Sequence, residues 1–408
     1  MDYLPGNDLK NFIKINRSAY SLFNTLYDRE KYPKSYEKTT LKLLDFLFTK
    51  TPEAIIDKLI FLAKNDKIQE LNYLVKSKKF NEIALDVFVK MFTQISEKGH
   101  IEVVKALINC PRFSEISSED LGDELCNSAI NGHVQVVEAL INCPRFSEIP
   151  SEDLRDGLCN SAKKGYLEVV KALIHCPRCL DILPEDLGIG LRLSAEKGHV
   201  QVVEALIHYP RFLDILPEDL GTGLRLSSEN GHLKVVEALI NCPRFTDIPT
   251  TDIRKGFWRS AKKGHVKVVE TLILCPRLPS NDLGIGLRLS AENGRFEVVE
   301  ALIRCPRFSE ISSESLGRGF WCSAIKGHLE IVEALIRCPR FSEISSESLG
   351  GGFWCSAIKG HLGVVEALIR CSRFSDIPFE DIEKGLLYSA EKGYVQVVEA
   401  LTHCPRFI

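Results

Sequence analysis

The chain has 408 residues, 45% of them apolar, and a formal net charge of −3. That balance excludes a global pull towards nucleic acid or an anionic membrane. No apolar run reaches the roughly 18 residues of a membrane-spanning helix, and Met1-Asp2-Tyr3-Leu4-Pro5 does not open a signal peptide. The expectation is a soluble, cytoplasmic monomer.

Residues 1–48 stand apart from the rest. Asp8 to Phe23 places Leu9, Phe12, Ile13, Tyr20 and Phe23 at helical spacing. Pro33 breaks a polar run, and Thr39 to Thr49 has the pattern of another helix. One reading is a helical cap. The order Tyr3-Leu4-Pro5-Gly6-Asn7-Asp8-Leu9 followed by Ile15-Asn16-Arg17-Ser18-Ala19-Tyr20 also resembles the later part of an F-box. The first helix of such a domain would precede Tyr3. The resemblance implies docking of Leu4, Pro5, Leu9 and Phe12 on a Skp-type adaptor of a ubiquitin ligase.

From residue 49 onwards the chain repeats itself. A glycine recurs at Gly99, Gly132, Gly165, Gly198, Gly231, Gly264, Gly294, Gly327, Gly360 and Gly393. The step is constant throughout, except that the one from Gly264 to Gly294 is shorter by three. A fixed period in this range marks a stacked array in which each unit contacts only its neighbours. Asp66 lies one full period before Gly99, with Leu59, Leu62, Leu71 and Leu74 at the offsets used later, so residues 51–83 form a degenerate first repeat. The count is about eleven, and the array fills residues 49–408.

Leu183 to Ile215 illustrates one unit. Pro184-Glu185-Asp186 suits a helix start, because proline lacks an N–H that would be orphaned there and acids favour the positive helix end. Ser118, Ser151, Ser313 and Ser346 stand near this place elsewhere as N-cap candidates. Leu187, Leu191, Ser194 and Ala195 make one face of the first helix. Gly190, inside that helix, recurs in later repeats and predicts close approach of a neighbouring helix. Gly198 predicts a left-handed cap. Val202, Val203, Leu206 and Ile207 face inward from the second helix, and Pro210 stops it. Phe212 and Ile215 peg the loop that follows to the core. The three-residue deletion falls in this loop, at Pro276 to Asn281.

The run Ser194-Ala195-x-x-Gly198-His199-x-x-Val202-Val203-x-Ala205-Leu206-Ile207, repeated along residues 51–408, resembles the ankyrin repeat. The resemblance implies an all-α, right-handed solenoid of ankyrin-like helix-turn-helix units that binds another protein. Ile189-Gly190-Leu191-Arg192 stands where ankyrin repeats carry Thr-Pro-Leu-His, and Pro-Arg-Phe replaces Gly-Ala-Asp, so little or no β-hairpin is expected. An F-box joined to such an array resembles effectors of intracellular microbes. That implies, as the alternative function, a substrate-recruiting ligase adaptor delivered to a host cytosol.

No catalytic constellation appears, and neither a cofactor nor a metal is expected. Nine cysteines, Cys110 to Cys404, share one repeat position. Equivalent atoms in stacked helices lie about 8–10 Å apart, beyond disulfide reach, so buried free thiols are expected. Seven histidines follow the turn glycine, and a residue copied along an array is structural by default. Arg112 and its equivalents precede an acid by three residues in most units, which predicts local pairing or capping of carbonyls rather than a phosphate-binding ladder. Glu138, Glu204 and their equivalents face solvent and argue further against nucleic acid.

The position with most contrast follows the first-helix leucine. It holds Arg192, Arg225, Trp258, Arg288, Trp321 and Trp354 in repeats 5–10, including all three tryptophans of the chain. Tryptophan and arginine are enriched at binding hot spots, so these six residues form the candidate partner surface. Packing between adjacent repeats is the alternative reading.

Overall fold

The computed structural model describes residues 52–406. The F-box-like stretch, with Leu4, Pro5, Leu9 and Phe12, lies outside the described residues, as does the 48/49 boundary. Contacts divide the chain into two compact units, one ending at Asp153 and one beginning at Leu154.

The first unit holds three helix pairs: α1 (Pro52–Lys64) with α2 (Ile68–Val75), α3 (Leu85–Glu97) with α4 (Ile101–Ile108), and α5 (Ser118–Ile130) with α6 (Val134–Ile141). A single helical turn, Lys78–Asn81, follows α2. Eight pairs follow: α7 (Ser151–Lys164) with α8 (Leu167–Ile174), α9 (Pro184–Lys197) with α10 (Val200–Ile207), α11 (Pro217–Asn230) with α12 (Leu233–Ile240), and α13 (Thr250–Lys263) with α14 (Val266–Ile273). Then come α15 (Ser280–Glu292) with α16 (Phe296–Arg304), α17 (Ser313–Lys326) with α18 (Leu329–Arg337), α19 (Ser346–Ile358) with α20 (Leu362–Ile369), and α21 (Phe379–Glu391) with α22 (Val395–Thr402). These are the eleven repeats read from the period. Within each unit, odd-numbered helices stack on odd and even on even. No strand occurs among the described residues.

Local chemistry explains the repeat. Pro184 and Pro217 open α9 and α11 as first-turn residues. In α9 the carboxylate of Asp186 accepts from the Leu183 N–H at 3.0 Å. The serine caps sit one residue earlier than expected. Ser117, Ser312 and Ser345 accept from the N–H of Asp120, Ser315 and Ser348 at 3.0, 3.2 and 3.1 Å. Ser118, Ser313 and Ser346 are already helical, because the cap needs extended backbone.

Every turn glycine has positive φ, from 69° to 91°. Asp66, which the spacing aligns with them, is the one non-glycine with positive φ among the described residues, at 55°. Gly198 lets the His199 N–H turn back to the Ser194 carbonyl at 2.9 Å, closing the helix end. After the second helix, the expected loop is a tight 3-10 turn, Pro210–Asp214, with Phe212 and Ile215 buried as pegs. Leu278 is buried at the peg position in the shortened loop.

Val202, Val203, Leu206 and Ile207 of α10, with Leu187, Leu191 and Ala195 of α9, are buried as one core layer. The glycine inside the first helix does meet its neighbour. A Cβ on Gly286 would stand 2.5 Å from the Phe257 ring, and one on Gly352 would stand 3.0 Å from Phe320. At Gly190 the neighbour, Ala162, is smaller and the spacing is ordinary, 3.6 Å. All fourteen cysteines are free. Burial raises the pKa of the thiol of most of the column, Cys110 and Cys338 among them.

Candidate functional site

Three ladders join one repeat to the next, and they decide what remains free to bind. The first is the turn histidine. His232 donates from Nε2 to the Glu196 carbonyl at 2.9 Å, and His265 does the same to Glu229 at 2.9 Å. Each ring lies on the turn glycine of the preceding repeat. Arg295 replaces the histidine once and keeps the contact, donating from Nε to the Lys262 carbonyl at 3.1 Å.

The second ladder is the arginine of the Pro-Arg-Phe run. Arg244 pairs with Asp247 three residues on, at 2.8 Å, as the sequence predicts. The same guanidinium also reaches back to the preceding repeat, donating to the carbonyls of Phe212 at 2.8 Å and Ile215 at 2.6 Å. Its carbon lies 5.6 Å from the Phe212 ring centroid. Arg145, Arg340 and Arg373 repeat the arrangement. The ladder is therefore an inter-repeat clamp, with its charge already used.

The third ladder is one that the sequence reading misses. An acid at the third helical position packs on a glycine of the preceding first helix. Asp219 faces Gly188, Asp252 faces Gly221 and Asp381 faces Gly350. The offset within each pair is the same, and it is visible in the sequence once glycine and aspartate are read together. This ladder controls the contrast column. Arg192 Nε lies 3.1 Å from Asp219 Oδ1, and Arg225 Nε lies 3.3 Å from Asp252 Oδ1. Burial pushes the Asp219 carboxyl above its ordinary range, with Arg192 opposing.

In repeat 7 the column residue is Trp258, and Arg254 replaces the paired glycine. Its guanidinium lies 5.1 Å from the Trp258 ring centroid, and its Nε donates to Asp282 Oδ2 at 2.8 Å. Asp282 is fully buried. In repeats 9 and 10 the acid is lost, since Ser315 and Ser348 stand in its place. Arg288 turns instead to Glu292 of its own helix, at 3.3 Å.

Repeats 9 and 10 are near-copies and hold Trp321 and Trp354. Trp321 is 41% exposed, while Trp354 is half-buried with its indole N–H shielded and unpartnered. Both line a groove of about 620 Å³, together with Glu314, Arg318, Glu343, Glu347, Ser348 and Gly351. The Trp321 indole rests at Gly351, where a Cβ would come 3.1 Å from its Nε1. The six residues of the column thus share one position on successive helices in different states. Arg192 and Arg225 are held across the repeat boundary, Trp258 is covered, Arg288 is paired within its helix, and Trp321 and Trp354 line an open groove.

Elsewhere, His175, His208 and His403 donate to carbonyls four residues back, at 2.8, 2.7 and 2.8 Å, and close the ends of α8, α10 and α22. No helix among the described residues is long and apolar enough to cross a membrane. Compared with known proteins, the chain matches no described family, and no curated protein is detectably similar to it.

Proposed function

We propose that this chain binds a partner protein and is not itself an enzyme. In this reading it is a divergent ankyrin-like array working in the cytoplasm, and its first-helix column from Arg192 to Trp354 carries the partner surface. A stacked-repeat fold supplies such a surface but does not name its ligand. The observation that carries the reading is the groove lined by Trp321 and Trp354, where the Trp321 ring stays exposed while Arg192, Arg225 and Trp258 of earlier repeats are paired or covered. Tryptophan in a concave, partly desolvated place is the usual anchor of a protein interface.

The test is affinity capture from a cytosolic extract by the full chain and by the triple variant Trp258→Ala, Trp321→Ala, Trp354→Ala, with captured proteins quantified by mass spectrometry. Partners lost by the variant, with helical content intact, support the surface. Equal capture removes it. The ligase-adaptor reading rests on the Tyr3-to-Tyr20 resemblance. Recombinant Skp-type adaptor retained by the full chain, and not after removal of residues 1–48, would support it. No retention by either would end it.

A further inference from the structure

The groove between repeats 9 and 10 has the form of a site whose occupant is already present, in cis, in repeat 7. There, Trp258 is covered by the guanidinium of Arg254, four residues earlier on α13, with Asp282 of the next repeat behind it. A planar cation on an indole face with a carboxylate behind it is a favourable arrangement, stronger when partly desolvated. In repeats 9 and 10 the residue four before the tryptophan is Gly317 or Gly350, so neither helix supplies the arginine.

The acid that would hold the cation beside Trp321 is shortened to Ser348. The groove contains Glu347 one residue earlier, exposed and with no ion pair among the described residues. Glu343 and Glu314 stand at the rim, neutralised by Arg340 at 2.5 Å and Arg318 at 2.7 Å. Gly351 is one of only two differences between residues 304–330 and 337–363 of the twin repeats, Arg318 being its counterpart. It leaves room for the indole to lie down against α19.

We propose that this groove binds an arginine side chain of the partner protein. The guanidinium stacks on Trp321 and pairs with Glu347, taking the place that Arg254 takes on Trp258. The proposal rests on the protein-binding reading above and gives that partner its chemistry: an extended, arginine-bearing segment.

The full chain is titrated with an unlabelled peptide of five Arg-Gly units at about 0.15 M salt, a concentration that screens exposed charges beyond about 8 Å. Intrinsic fluorescence is the readout. In a Trp258→Phe background, excited beyond the tyrosine absorption band, the emission comes from Trp321 and Trp354 alone, because the chain has three tryptophans. Peptides of five Lys-Gly and five Glu-Gly units are the comparisons. The expected result is saturable change with the arginine peptide, weakened about tenfold by Trp321→Ala and by lysine in place of arginine. Glu347→Gln weakens it about threefold, as for one partly exposed ion pair.

Gly351→Arg guards against a variant that fails to fold, since repeat 9 already accepts arginine there. It should abolish the fluorescence change with helical content preserved. Binding that is indifferent to Trp321→Ala and Gly351→Arg, or equal for lysine and arginine peptides, overturns the proposal. If it is overturned while the triple tryptophan variant still loses captured partners, the protein-binding surface stands without the arginine. If capture is also unchanged, both fall.

Discussion

The imidazole of His232 covers Gly198 of the preceding repeat, and its Nε2 donates to the Glu196 carbonyl at 2.9 Å. One glycine therefore meets two demands. Its φ of 81° needs a residue without a Cβ, and the ring above it needs the same space, a Cβ standing 2.6 Å from Nδ1.

Gly198→Ala should cost more than the about 1–2 kcal/mol of a left-handed alanine, because the histidine must also move. Gly393→Ala supplies the reference: its φ is 74°, yet nothing lies within 4 Å of a Cβ there. Native-state hydrogen exchange should show the larger loss of protection around repeats 5 and 6 for Gly198→Ala. Adding His232→Ala should bring the two glycine variants to a similar cost. Equal losses without it would mean the ring contributes nothing.

Arg244→Ala removes the donor to the carbonyls of Phe212, Leu213 and Ile215 in the preceding turn and strands Asp247. The expected cost is about 2–3 kcal/mol at the junction of repeats 5 and 6, from partly buried carbonyls left unpaired. Arg244→Lys should recover less than half, since a single ammonium cannot reach the carbonyls and the Asp247 carboxylate together. Hydrogen exchange of the Pro210–Asp214 turn is the sensitive readout. A lysine variant as protected as the original would refute the clamp.

Glu124 occupies, in repeat 3, the place that later repeats give to Gly157 and Gly190. It is almost fully buried, and Oε2 has no partner. Burial, opposed by the hydroxyls of Thr93 and Ser96, raises its pKa from 4.5 to about 7. The folded state therefore holds its proton more tightly than the unfolded state. The first unit should be most stable below pH 4.5 with respect to this group, lose stability as pH rises to about 7, and change little above that. Glu124→Gln should remove this slope. At pH 8 it should stabilise repeats 2 and 3 by on the order of 3 kcal/mol, with little effect at pH 4. Urea-dependent hydrogen exchange at both pH values checks it. A Gln variant that keeps the pH slope would show that another group carries it.

Much of a single repeat is legible in the sequence alone. The glycine period, the Val202-Val203-Leu206-Ile207 face, the Phe212 and Ile215 pegs and the Asp66 turn all appear where the spacing puts them. Steric limits on φ and the burial of one helical face act within a few residues, and every copy restates them. What one repeat does to the next is largely hidden. The pairing of Arg244 with Asp247 is local and legible. Its hold on the Phe212 and Ile215 carbonyls, 32 and 29 residues back, is not. The same holds for the contrast column. Whether Arg192 is spoken for by Asp219, or Trp321 is left open above Gly351, depends on the offset and rotation with which one helix pair stacks on its neighbour. Side chains a full repeat apart meet only once that stacking exists, so only the tertiary structure could decide it.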